Sequence, residues 1–251
     1  MVVLLALSAL LIGALIGATG VGGVLLIPAL MFFGGLGTHQ AMATALFSFF
    51  FAGILATYIY QRYGSIQWNV TLPVLVGSFL SSYVGAWVGS LASARLLNML
   101  LAAIILLSSS YSLLPKRETA LAPTLSKNNS TALLLGIGLF TGFLCGMTGA
   151  GGGIISVPVM LIFGYATLPT IATSQVLQSI VSVSGSASNW SNGFIVFSIA
   201  WWVTLCELAG IALGVRIAHK VPVAVLKKCV TLFCIAIGLF IACRAVFFQD
   251  A

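Results

Sequence analysis

Apart from residues 115–130, the chain is a near-continuous series of apolar runs, at about 3–33, 39–60, 68–90, 95–114, 131–163, 168–190, 196–218 and 222–247. Only 5% of the residues are charged and 61% are hydrophobic, whereas soluble domains carry about 25% charged residues. Such a chain cannot cover itself with a water-compatible surface, so its solvent is a lipid bilayer. The net charge of +7 then reports loop orientation rather than a nucleic-acid partner. The N-terminal "MVVLLALSALLIG" has no basic n-region and runs on past any cleavage site, so it reads as structure and not as a removed signal. Five cysteines lie in apolar segments without a CxxC pair, as small packing residues do. Two distant histidines and three acids make no ligand cluster, so neither metal nor cofactor is expected.

Two runs, 3–33 and 131–163, are too long. As straight helices they would reach roughly 45–50 Å at about 1.5 Å per residue, against a hydrocarbon core of about 30 Å. Each carries a glycine-dense stretch in its middle: "GATGVGGVLLIP" from residue 17 and "GMTGAGGGIISVP" from residue 146. Each therefore reads as two short helices joined by a glycine loop at membrane depth.

Charge placement supports that reading. If every run crosses once, the ten basic residues divide five against five, and no orientation is specified. If the second long run is a re-entrant hairpin, Arg62, Lys116, Arg117, Lys127, Arg216, Lys220, Lys227 and Lys228 share one side, with Arg95 and Arg244 on the other. That distribution obeys the positive-inside rule and makes the central linker cytoplasmic. Arg95 and Arg216 lie near helix ends, where snorkelling is the default. Trp68, Trp201 and Trp202 read as interfacial anchors.

The chain also repeats itself. At an offset of 129, Gly17, Thr19, Gly20, Gly22 and Gly23 meet Gly146, Thr148, Gly149, Gly151 and Gly152. With one inserted residue Pro28 meets Pro158 and Gly34 meets Gly164; the register returns at Ala43 and Ala172, and a deletion of four brings Gly85 and Gly89 onto Gly210 and Gly214. The organisation expected is a first transmembrane repeat over 1–114, a linker over 115–130 and a second repeat over 131–251. The fold expected is an all-α membrane protein, each repeat holding a broken glycine-loop helix pair and three transmembrane helices. That gives an odd number of crossings per copy, hence inverted copies.

Inverted repeats with discontinuous helices and a midplane site form a transporter's ground plan. A short helix starting inside the membrane presents free N–H groups and its positive dipole end to the centre. Irregular backbone is tolerated there only where it is covered by protein or lines a cavity. Gly20, Gly22 and Gly23 from one copy, and Gly149, Gly151, Gly152 and Gly153 from the other, would form an anion site of backbone amides, with Thr19 and Thr148 adding hydroxyls. Gly85, Gly89, Gly210 and Gly214 fit close helix packing instead.

The doubled "GxTGxGG…P", with "ATxLF"-like and "GSIQW" segments behind it and "GIALGVRIA" before "VP", resembles the TauE/SafE sulfite exporter family over nearly the whole chain. The resemblance implies a permease of bacterial inner membranes for sulfite, sulfoacetate or a related organosulfur or organic anion. The first copy lacks the third consecutive glycine, and Gln67 stands where the family usually has an acid.

In the run at 168–190, Ser174, Gln178, Ser182, Ser186 and Asn189 share a helix face, flanked by Gln175 and Ser179. Lipid would penalise such a stripe; it lines a substrate path, with Thr173, Ser174, Gln175 and Gln178 nearest the loop, or it bonds to neighbouring helices, at about 0.6 kcal/mol each. Gln40, Thr44 and Ser48 form a shorter counterpart. Glu207, the one acid expected at membrane depth, is the candidate for coupling to H+ or Na+, against a structural hydrogen bond as the plainer role; its repeat mate is Gly77 or Ser78. A secondary transporter of a small anion, working by alternating access, is the leading expectation, with a passive channel and a non-transporting scaffold as alternatives. The expected partners are the anion, the bilayer and a second copy in a homodimer. No HExxH, membrane-depth Ser/His/Asp set or cofactor motif supports an enzyme.

Overall fold

The computed structural model describes residues 2–19, 23–113 and 127–218, together with 235 and 239. All its elements are helical: α1 (Val2–Thr19), a 3-10 turn (Gly23–Leu25), α2 (Leu26–Phe33), α3 (Thr38–Arg62), α4 (Trp68–Leu91), α5 (Ala94–Leu113), α6 (Lys127–Thr148), α7 (Gly153–Ile162), α8 (Thr167–Ser191) and α9 (Phe197–Ala218). Helix α6 starts inside the expected linker, whose residues 115–126 lie outside the described part, as does nearly all of the run 222–247. Four of the described helices are long and apolar enough to cross a membrane: α3, α4, α6 and α9. The α8 segment is as long as α3, but its polar stripe dilutes its hydropathy.

Helix α4 shows how such a sequence folds in lipid. Leu72, Val76, Phe79, Leu80, Tyr83, Val84 and Trp87 are exposed, while Gly77, Ser78, Ser82, Gly85 and Gly89 are buried. Bulky apolar side chains face outward and small residues face inward. Lipid tails are as apolar as leucine, so burial of apolar area drives helix association weakly; close backbone approach drives it instead.

Two seams meet that requirement. Helix α4 packs on α6, and α1 packs on α9, in the two most extensive helix pairs of the described part. A Cβ at Gly17 would stand 2.5 Å from the Ile211 carbonyl oxygen, and one at Gly89 would stand 2.6 Å from that of Met147. Added Cβ atoms at Gly13, Gly85, Gly138, Gly142, Gly146, Gly210 and Gly214 would likewise collide with backbone across the seams. Gly85, Gly89, Gly210 and Gly214 thus serve packing, as expected.

The seams also correct the repeat register. Gly13 packs on Glu207 and Gly142 on Ser78; Gly17 packs on Ile211 and Gly146 on Ser82; Gly214 packs on Ala14 and Gly85 on Phe143. Every one of these pairs is related by the same offset of 129. Helix starts agree, from Thr38 to Thr167 and from Trp68 to Phe197. So do the left-handed glycines, Gly35 with Gly164 and Gly64 with Gly193. The one-residue insertion that paired Gly34 with Gly164 and the four-residue deletion that paired Gly85 with Gly210 are therefore absent. The reason for the second error is physical: a seam of small residues repeats each turn, so a four-residue slip still lands glycine on glycine. Glu207 is the mate of Ser78.

Contacts between halves dominate. Beyond the two seams, α3 crosses α8, α4 contacts α8 and α3 contacts α9. At the crossing of α3 and α8 a Cβ on Gly53 would lie 2.8 Å from the Ser179 nitrogen. The two copies interlock rather than forming separate bodies.

The seams predict a contrast on one helix. Gly142→Leu forces α6 off α4 and should destabilise the protein by about 3 kcal/mol or more. Gly136, also on α6, is exposed, and a Cβ there meets nothing within 4 Å; Gly136→Ala should raise stability by up to about 1 kcal/mol. Thermal unfolding in detergent, monitored by monodispersity, checks both.

Candidate functional site

The second long run breaks where the glycines stand. Helix α6 ends at Thr148, α7 begins at Gly153, and the loop between them is buried. Gly149 and Gly151 adopt φ of 67° and 77°, a conformation that glycine takes freely and L side chains resist. The turn is tied to α6 at two points: Gly149 N donates to the Cys145 carbonyl at 2.8 Å, and the Cys145 thiol to the Gly151 carbonyl at 3.0 Å. Ser156 Oγ donates to the Gly152 carbonyl at 2.6 Å. Helix α7 has ten residues, about 15 Å of rise, half of a bilayer core. Helix α2 has eight. Gly20 and Gly22 lie outside the described residues, as does the Thr19 side chain; Gly23 opens the 3-10 turn before α2.

The second loop is wedged between α3 and α8. A Cβ at Gly149 would lie 2.8 Å from the Met42 carbonyl oxygen, and one at Gly152 would lie 2.7 Å from Gln178 N and 2.9 Å from the Ser174 carbonyl. At Gly151 a Cβ would meet the Phe49 ring at 3.4 Å and the Gln178 carboxamide carbon at 3.9 Å. At Gly23 it would meet Cζ of the same Phe49 at 3.0 Å. Phe49, wholly buried, is therefore the place where the two glycine breaks converge. Sequence reasoning missed it, since one more phenylalanine among sixteen carries no local signal. The repeat held the clue: at the offset of 129, Phe49 is the mate of Gln178.

The polar residues are sealed from solvent. Thr44, Ser48, Thr173, Ser174, Gln175, Gln178 and Ser182 are buried, whereas Gln40 is exposed and does not extend the α3 stripe inward. Several hydroxyls hold the scaffold. Thr148 Oγ1 donates to the Leu144 carbonyl at 2.7 Å and Ser174 Oγ to that of Ile171 at 2.7 Å. Thr44 Oγ1 accepts from Val196 N at 3.2 Å, and Thr173 bonds to Thr71 across 2.8 Å. Thr148 thus directs its proton to its own helix rather than to the loop. Gln178 Nε2 and Ser182 Oγ are buried without a hydrogen-bond partner among the described residues, an arrangement rare among buried polar atoms and one that calls for an explanation.

Glu207 on α9 is fully buried, and Ser48 Oγ on α3 donates to its Oε2. Its other oxygen, Oε1, has no hydrogen-bond partner among the described residues. Close to the second loop, a cavity of about 10 Å³ is lined by His39, Met42, Gly146, Met147 and Asn189 among others, room for about one water. No group of three or more His, Cys, Asp or Glu positioned for a metal occurs among the described residues.

The structure thus gathers Gly149, Gly151, Gly152, Gly153, Ser174 and Gln178 at the second break. It sets both Gly23 and Gly151 against the ring of Phe49, and it joins Ser48 to Glu207. Thr44 and Thr173 hold the N-terminal ends of α9 and α4.

The TauE/SafE sulfite exporter family matches residues 5–241. The probable membrane transporter protein YunE of Bacillus subtilis is 24% identical over 98% of this chain and 96% of its own. The probable membrane transporter protein YdhB of the same organism is 28% identical over 86% and 89%. MJ0441 of Methanocaldococcus jannaschii, likewise named a probable membrane transporter protein, is 25% identical over 94% of both. No solved structure matches. With the apolar helices and this end-to-end similarity, the chain belongs to the TauE/SafE sulfite exporter family of membrane transporters.

Proposed function

We propose that the protein is a secondary transporter for a small anion, sulfite, sulfoacetate or a related organosulfur or organic anion. The anion binds at the midplane between the two glycine breaks and crosses by alternating access. The observation that carries this reading is the convergence of Gly23 and Gly151 on Phe49. The anion would meet the N-terminal end of α7, whose dipole favours negative charge, together with Gln178 Nε2, which has no partner among the described residues. In the described conformation Phe49 and the packed helices close the site, so the anion enters by rearrangement rather than through a standing pore.

The seams support inverted copies. Exchange of the halves turns the pair α1 and α9 into α6 and α4, contact for contact. Such a pseudo-twofold supplies two conformations of similar energy, one open to each side. The lysine and arginine bias supports a cytoplasmic linker in a bacterial inner membrane, and a homodimer is the working unit we propose.

Flux into proteoliposomes tests the function. Sulfite, sulfoacetate, sulfate and acetate are offered separately, and saturable flux of a sulfur oxyanion or sulfonate is expected. Absence of flux for all four, from inserted and folded protein, overturns the substrate class. Gly151→Leu replaces a residue at φ 77°; flux should fall at least about tenfold, or ~1.4 kcal/mol, with membrane insertion retained. For orientation, Asn128→Cys should react with an impermeant thiol reagent from the cytoplasmic side. Labelling from the outside alone overturns the topology.

A further inference from the structure

Glu207 is a carboxyl group in the protein interior with an oxygen to spare. It is 0% exposed, Ser48 donates to Oε2, and Oε1 has no hydrogen-bond partner among the described residues. An ionised carboxylate in such a place costs many kcal/mol unless a cation pairs with it. Among the described side chains, no cation faces it from the elements packed around it. Helix α1, whose Gly13 lies against the Glu207 backbone, carries no ionisable side chain. On α3 the ionisable groups are His39, nine residues from Ser48, and Tyr58, Tyr60 and Arg62, ten to fourteen residues away. On α9 they are the neighbouring Cys206 and, nine residues on, Arg216.

The position matters as much as the chemistry. Ser48 immediately precedes Phe49, the residue against both glycine breaks, and Gly23 is also within 3.6 Å, by an added Cβ, of Ile16 on α1, one turn from the contact with Glu207. An anion arriving at the breaks would be repelled by an ionised Glu207 and tolerated by a protonated one. Binding of proton and anion is then mutually favourable, because linkage is reciprocal.

We infer that Glu207 is the proton-binding site of the transporter, and that one proton on its carboxyl travels in the same direction as each anion. The inference rests on the anion-transport reading. The proton is taken up by the carboxylate on one face and released from the carboxyl on the other; nothing else changes charge. The count of one follows from the asymmetry of the repeat. The mate of Glu207 is Ser78, whose hydroxyl donates to the Leu75 carbonyl of its own helix, and no second acid lies in the described helices. For a monovalent anion the cycle is electroneutral.

The test uses purified full-length protein in liposomes and the anion found to be transported. Counterflow, an exchange without net proton movement, is measured beside accumulation driven by an imposed pH gradient and substrate-induced proton uptake. Wild type should show all three, with accumulation unchanged by an imposed potassium diffusion potential when the anion is monovalent. Glu207→Gln should keep counterflow within about threefold, ~0.7 kcal/mol, and lose the other two. Proton uptake persisting in Glu207→Gln, or accumulation driven by a sodium gradient and not by pH, overturns the inference. Absence of counterflow in wild type overturns the transporter reading instead. A second measurement needs no variant. A carbodiimide that modifies protonated carboxyls in apolar surroundings should label wild-type Glu207, read by mass spectrometry, and block pH-driven uptake. No label at Glu207, in protein whose proton uptake is intact, overturns the assignment even if the glutamine variant fails to fold.

Discussion

Backbone contact across two small-residue seams is what the rest of the molecule depends on. In a bilayer, apolar side chains gain little by leaving lipid for protein. Helices α1 and α9, and α6 and α4, are held together where glycine removes the side chain altogether and lets carbonyls of one helix meet the Cα carbons of the next. These pairs join one half of the chain to the other. Neither copy can therefore complete its own packing, which is why the duplicated sequence folds as one interlocked body.

The seams in turn allow the broken helices. Short helices α2 and α7 end inside the protein, and their termini carry backbone groups that lipid would penalise. Covering them requires intact helices on all sides. For the second break these are α3 and α8, which reach the loop closely enough that Met42 and Ser174 carbonyls exclude any side chain at Gly149 and Gly152. The left-handed glycines then turn the chain without a strained residue. Site and scaffold are thus inseparable. The same absence of side chains that packs the loop leaves its backbone as the proposed anion contact beside Phe49 and Gln178.

Much of this was legible in the sequence, and for identifiable reasons. An apolar run of over thirty residues exceeds the bilayer core, so the breaks at the glycines were forced by length. The seam glycines were legible because small-xxx-small spacing has few other uses in lipid. The register was less so, since a four-residue slip along α4 preserves the pattern that identifies it. Hydroxyl roles were illegible. Thr148 lies beside the loop in sequence, yet its proton goes to Leu144, and Thr44 and Thr173 turn out to hold neighbouring helices. A threonine in a helix satisfies itself from the preceding turn or from a neighbour, and spacing does not tell which. Phe49 was invisible for the opposite reason: its role comes from two contacts with residues far away in the chain.

The corrected register makes the two halves unequal in an ordered way. Ser48 and Phe49 in the first half occupy the places of Leu177 and Gln178 in the second; Ser78 occupies the place of Glu207. At the level of backbone the copies match where α3 and α8, and α4 and α9, begin. Side by side they carry different chemistry: Ser48 is the polar member of the first pair, Gln178 of the second, and Glu207 the ionisable member of the third. Ser48 from one copy reaches Glu207 from the other, so the hydroxyl and the carboxyl that meet are both at positions whose mates do something else. Duplication therefore supplies a repeated backbone, and divergence of three side-chain pairs supplies one donor, one ring and one carboxyl. In the proposed transport cycle the backbone symmetry serves the movement, and Glu207, the one acid among the described residues, carries the proton.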